Sequence, residues 1–180
     1  MNYLIQSLTY FRIITGPILF LLIAAFDFFG LALLIFVVAA ATDYFDGYLA
    51  RKYNLVSVLG SVLDPIADKI LITFAIIALG LALNSIYVGF VGCLILAREF
   101  WVAALRDMNA RNGNSSATEV TFLAKIKTFI QLLAIAGFLL GLYSNSALII
   151  FLSNFILFLA LIITIQTGLS YTIASLIKKI

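Results

Sequence analysis

Histidine is absent from this chain of 180 residues. That excludes imidazole general acid–base chemistry, His ligation of a metal and haem held by His. A single cysteine, Cys93, leaves no internal disulfide; in its apolar run it reads as a small buried side chain rather than a reactive thiol. No glycine-rich phosphate loop of the Walker type occurs, and no internal repeat. Charge is scarce as well. Asp, Glu, Lys and Arg together make up 11% of the residues, against about 25% in soluble domains. The net charge of +3 is too small to imply nucleic acid as a partner.

What fills the chain instead is apolar: 64% hydrophobic residues and a mean hydropathy of +1.20. Most of such a surface must face lipid, so the expected class is an all-α, polytopic membrane protein forming one domain over residues 1–180. Residues 1–12 mix polar and apolar side chains, with Leu4, Leu8 and Phe11 at helical spacing, and predict a short N-terminal interfacial helix. They do not read as a cleaved signal, since no basic segment precedes the apolar run. Six transmembrane helices are expected after it, at about 13–26, 28–50, 60–83, 86–106, 121–143 and 147–177. The second, at ~1.5 Å per residue, is about 35 Å long and sufficient to cross a bilayer. Pro17 falls in the first turns of its span, where proline is tolerated.

With this count, the turns near 27–29, 84–85 and 144–146 lie on one face. The termini and the loops near 51–60 and 107–120 lie on the other. All eleven Lys and Arg fall on the second face, which the positive-inside rule makes cytoplasmic. The expectation is an integral protein of a bacterial inner membrane with both termini inside.

Four of the eight acidic residues crowd into Asp43 to Asp68. Asp43 and Asp46 are three apart, Asp64 and Asp68 four apart, and either spacing stacks two side chains on one helix face. Four carboxylates cannot share a small volume as bare anions. Burying them unpaired costs roughly 10 kcal/mol at ~2.5–3.5 kcal/mol each. Divalent cations remove the conflict, and hard ions such as Mg²⁺ or Mn²⁺ prefer oxygen ligands of this kind. Ionisable residues on otherwise apolar helices mark a functional site.

The stretch reads D-x-x-D-G-x-x-A-R, eight residues, then G-x-x-x-D-x-x-x-D: Asp43, Asp46, Gly47, Ala50, Arg51, Gly60, Asp64 and Asp68. Eight fixed positions make a specific signal, and it resembles the motif of the CDP-alcohol phosphotransferases, integral-membrane enzymes that move a phosphatidyl group from CDP-diacylglycerol to an alcohol. The resemblance implies that Asp43, Asp46, Asp64 and Asp68 hold two divalent metal ions, with Asp68 also general base toward the acceptor hydroxyl. It implies that Asp43, Gly47, Ala50, Arg51, Gly60 and Thr9 contact the CDP moiety. Glycine admits a close approach to the backbone, and arginine offers a planar fork to phosphate oxygens.

The acceptor must be read elsewhere. Arg98 sits mid-span beside Glu99, and Arg106, Lys125 and Lys127 lie near the same face; together they form a candidate clamp for an anionic acceptor, which a phosphorylated alcohol needs and choline does not. The runs Ala97-Arg98-Glu99, Ala104-Leu105-Arg106, Ala124-Lys125-Ile126-Lys127-Thr128 and Leu8-Thr9-Tyr10-Phe11-Arg12 resemble those of bacterial phosphatidylglycerophosphate synthases within that family. Where these often carry Pro-Asn ahead of Leu-Thr, this chain has Ile5-Gln6. The resemblance implies CDP-diacylglycerol and glycerol 3-phosphate as substrates, CMP as a product, and a homodimer. Inositol phosphate, serine and phosphatidylglycerol stay open as acceptors. Outside the enzymes, the carboxylates could serve a cation or proton transporter, although a transporter would place them near the bilayer midplane.

Overall fold

The computed structural model describes the backbone of residues 2–52, 58–119 and 121–177, with the side chains of 7, 9–42, 63–114, 116, 118, 119 and 121–177. Six α-helices run through these residues: α1 Asn2–Ala24, α2 Phe29–Lys52, α3 Val58–Ala82, α4 Ile86–Arg111, α5 Phe122–Tyr143 and α6 Ala147–Ile177. A short 3₁₀ turn, Ser115–Thr118, precedes α5. Four stretches are long and apolar enough to be candidate membrane spans: Leu63–Ala82, Ile86–Arg111, Phe122–Tyr143 and Ala147–Ile177.

Local chemistry explains the hairpins. Asp27, Asn84 and Asn145 have positive φ, of 53°, 46° and 51°, a conformation that Asp and Asn enter more readily than other non-glycine residues. After α3, the amides of Asn84 and Ser85 return to the carbonyls of Leu81 and Gly80, the two bonds of a Schellman ending. Ser85 then caps α4, its hydroxyl accepting from Val88 N at 3.3 Å. Asn145 and Ser146 close α5 in the same way, onto Leu142 and Gly141.

Each helix packs on two principal neighbours, in the cyclic order α1, α2, α5, α6, α4, α3 and back to α1, and α3 also reaches α5 across the bundle. Leu19, Ile23, Phe36, Leu79, Ile95, Phe138 and Leu157 fill the core. Small residues bring helices close, as at helix interfaces in lipid: a Cβ on Gly92 would collide with Ile76 Cγ2, and one on Gly137 with Ser153 Oγ. Large apolar side chains such as Phe90, Phe129, Leu148 and Phe151 point outward.

Several expectations are corrected. α1 is continuous from Asn2 to Ala24 and does not break near residue 12, so Pro17 lies in its interior. α4 runs five residues past Arg106, to Arg111. Cys93 is exposed rather than buried; it shares its helix face with Phe90 and Ala97, both also exposed.

Candidate active site

The acidic site begins on α3. Asp64 and Asp68, one turn apart, face α1, where Thr9 and Arg12 are likewise one turn apart. Thr9 Oγ1 donates to Asp64 Oδ1 at 2.6 Å. Arg12 Nη2 reaches the same oxygen at 3.2 Å, and Nη1 reaches Asp68 Oδ1 at 2.5 Å. Arg12 is fully buried, whereas both carboxylate side chains are 37% exposed. One guanidinium therefore aims both carboxylates at one place while leaving them open on another side. Hard, partly exposed oxygens held on a rigid helix suit Mg²⁺ or Mn²⁺. Asp43, Asp46, Gly47, Ala50 and Arg51 lie on the α2 helix and Gly60 in the first turn of α3, but their side chains fall outside the described residues.

Beside this site a cavity of about 970 Å³ opens between α3, α4 and α5. Among the described residues its wall carries five cations, Lys69, Arg98, Arg106, Lys125 and Lys127, against one carboxylate, Glu99. A smaller adjoining cavity of about 160 Å³ shares Lys69, Glu99, Arg106 and Lys127 and is also lined by Asp68. The cationic wall and the acidic site thus meet. All four residues expected to clamp an acceptor line the larger cavity. Lys127 and Arg98 are deeply buried, while Lys125 and Arg106 are exposed at its edge.

Glu99 holds the two buried cations together. Its Oε1 accepts from Arg98 Nη1 at 3.1 Å and from Lys127 Nζ. Buried cations are costly unless compensated, and one carboxylate compensates one of them. Among the described residues the cavity is left with a surplus of positive charge. From α6, Thr167 accepts from Arg98 Nη2 at 2.5 Å, and the ring centroid of Tyr171 lies 6.0 Å from the Arg98 guanidinium carbon and 5.6 Å from that of Arg106.

Two participants escape sequence reasoning. Lys69 adjoins Asp68 in sequence, and the one available signal is a cation next to the last acidic residue of the motif. Arg12 reads from sequence as one of the basic residues of one face and as the end of the run Leu8-Thr9-Tyr10-Phe11-Arg12, without a role or a partner; its spacing of three from Thr9 is the signal that could have paired them.

The geometry is that of an acidic pair on an apolar helical bundle with four candidate membrane spans, set beside a cationic cavity. The chain belongs to the CDP-alcohol phosphatidyltransferase family, whose sequence profile matches residues 3–166. Among its relatives, CDP-diacylglycerol–glycerol-3-phosphate 3-phosphatidyltransferase of Rickettsia bellii is 48% identical over 145 residues, 78% of this chain and 76% of the relative. The enzyme of the same name from Rickettsia typhi is 43% identical over 177 residues, 95% of this chain and 96% of the relative. That of Escherichia coli is 34% identical over 171 residues, 93% and 92% of the two chains.

Proposed function

We propose that this protein transfers the phosphatidyl group of CDP-diacylglycerol to sn-glycerol 3-phosphate, giving phosphatidylglycerophosphate and CMP. The observation that carries the choice of acceptor is the excess of cations in the cavity adjoining Asp68. An acceptor with a phosphate end matches that wall; serine, a zwitterion, leaves the surplus uncompensated. The family relationship and the names of the relatives point the same way.

In this reading Asp43, Asp46, Asp64 and Asp68 hold two divalent ions. When bound, such ions neutralise phosphate charge and stabilise the attacking and leaving oxygens of a displacement at phosphorus. The residues of the chain do the remainder. Arg98 and Lys127, with Arg106, Lys69 and Lys125 nearer the rim, bind the acceptor phosphate and turn its hydroxyl toward Asp68. Asp68 takes the hydroxyl proton as the acceptor oxygen bonds to the phosphatidyl phosphorus, and the bond from that phosphorus to the CMP oxygen breaks. Gly47, Ala50, Arg51, Gly60 and Thr9 bind the CDP end. The reading includes six spans, with α1 and α2 crossing alongside the four candidate spans, the termini and the site at the cytoplasmic face of a bacterial inner membrane, and a homodimer.

Purified protein in detergent, given CDP-diacylglycerol and one acceptor at a time, tests this. CMP release is expected with glycerol 3-phosphate, lost on chelation and restored by Mg²⁺ or Mn²⁺. Preference for inositol phosphate or serine would overturn the acceptor, and cation flux in proteoliposomes without CMP release would overturn the transferase. Arg98→Ala is expected to raise KM for glycerol 3-phosphate about 10- to 100-fold, from the loss of a charge-assisted hydrogen bond. KM for CDP-diacylglycerol should change little; equal effects on both substrates would give Arg98 a structural role.

A further inference from the structure

Arg98 cannot set its own direction. Its carboxylate partner, Glu99, is the next residue on α4, about 100° round the helix, and also holds Lys127. Adjacent positions on a helix do not face each other, so that pair alone leaves the long Arg98 side chain free to swing. The remaining constraints come from α6, which packs beside α4.

Thr167 is buried, and its hydroxyl proton has a carbonyl to go to, Ile163 O at 2.8 Å or Thr164 O at 3.1 Å. With that proton used by the helix, Oγ1 serves as an acceptor, and Arg98 Nη2 donates to it at 2.5 Å. The next residue, Gly168, lies directly against the Arg98 stem. A Cβ there would stand 3.0 Å from Arg98 Cγ and 3.1 Å from Nε, tight enough to displace the side chain by tenths of an ångström. Nε is buried without a hydrogen-bond partner among the described residues, so its place is fixed by packing. One N–H of Nη1 goes to Glu99 and one of Nη2 to Thr167. Each terminal nitrogen carries a second N–H, and Arg98 lines the cationic cavity. The terminal nitrogens thus keep donor capacity beyond their protein partners, at a residue that lines the cavity.

We infer that Thr167 and Gly168 are positioning residues for the acceptor phosphate: α6 fixes the Arg98 fork, and thereby sets how tightly the cavity holds the anionic end of the acceptor. Both residues lie just beyond the segment matched by the family profile, which ends at residue 166. The inference rests on the proposed reaction and assigns acceptor affinity to a helix that carries none of the motif. A fork displaced by a few tenths of an ångström loses the short, aligned geometry on which charge-assisted bonds depend.

The experiment compares the full chain with Thr167→Val, Thr167→Ser and Gly168→Ala in detergent, varying each substrate in turn. Thr167→Val and Gly168→Ala are expected to raise KM for glycerol 3-phosphate about tenfold, the scale of one hydrogen bond to a charged group. KM for CDP-diacylglycerol and kcat should stay within about twofold, the signature of lost acceptor binding alone, and Thr167→Ser, which keeps the hydroxyl, should match the unaltered enzyme. Thermal protection by glycerol 3-phosphate without CDP-diacylglycerol should weaken in the same two variants, a readout independent of turnover. Should Thr167→Val fail to fold, Gly168→Ala decides by the same measurements. An unchanged acceptor KM, or a parallel rise for both substrates, would overturn the α6 assignment and leave the reaction standing. If the unaltered enzyme used no anionic acceptor at all, the reaction itself would fall first.

Discussion

Asp68→Asn is expected to lower CMP release by roughly 10²- to 10⁴-fold, the range a positioned general base contributes. The substitution is nearly isosteric. Its amide oxygen can still accept from Arg12 Nη1, which now bonds Asp68 Oδ1 at 2.5 Å, and Asp64 still faces the same guanidinium. What disappears is the negative charge and the capacity to take a proton. Turnover should therefore collapse while the thermal midpoint in detergent changes little. The partial exposure of Asp68 supports the expectation, because a carboxylate open to the adjoining cavity can reach a substrate hydroxyl. A variant retaining its rate within about threefold would remove Asp68 from the base's role. A variant that lost rate and fold together would mean that its charge serves mainly to balance Arg12.

Much of this architecture can be read before any coordinates. The helix-ending turns at Asn84-Ser85 and Asn145-Ser146 announce themselves because Asn tolerates positive φ, and at the first of them Ser85 also caps the next helix. That Arg98, Arg106, Lys125 and Lys127 converge is legible because cations in apolar spans have few explanations, and all four line one cavity. Several misses involve polar residues whose partners the sequence does not announce. Asp107 to Arg111 read as a loop because the segment is polar. Yet Asp107 and Arg111 pair across one turn at 2.9 Å, and Asn109 is buried, donating to Ser175 at 2.7 Å, so α4 continues. A short interfacial helix ahead of the first span is expected from sequence because residues 1–12 mix polar and apolar side chains, and Arg12 has no visible partner there. It is satisfied instead by carboxylates 52 and 56 positions away, and α1 needs no break. α6 reads as one apolar span, and its buried polar stripe of Thr164, Thr167, Tyr171 and Ser175 acquires meaning only once α4 and α5 are set against it.

Arg12→Lys is the sharper test of how the acidic site is held together, and turnover is expected to fall by about 10- to 100-fold, as when the supporting partner of a metal or catalytic ligand is lost. Lysine keeps the charge, but its single ammonium cannot span Asp64 and Asp68 from one fixed plane as the guanidinium does. Charge neutralisation alone predicts near-normal rates for Arg12→Lys, whereas geometric alignment predicts a loss. Arg12→Met removes both functions. It leaves two carboxylates facing each other beside a buried apolar side chain, and removing one member of a buried pair costs about 3–5 kcal/mol, less here because the carboxylates are partly solvated. The Met variant should therefore have a lower thermal midpoint, and Mg²⁺ should raise that midpoint more than in the unaltered protein, since an added cation then replaces the missing one. If Mg²⁺ stabilised both proteins equally, the carboxylates aligned by Arg12 would not be the ones that take up the ion. A Lys variant with full activity would reduce Arg12 to a countercharge, leaving the alignment of Asp64 and Asp68 to α3 alone.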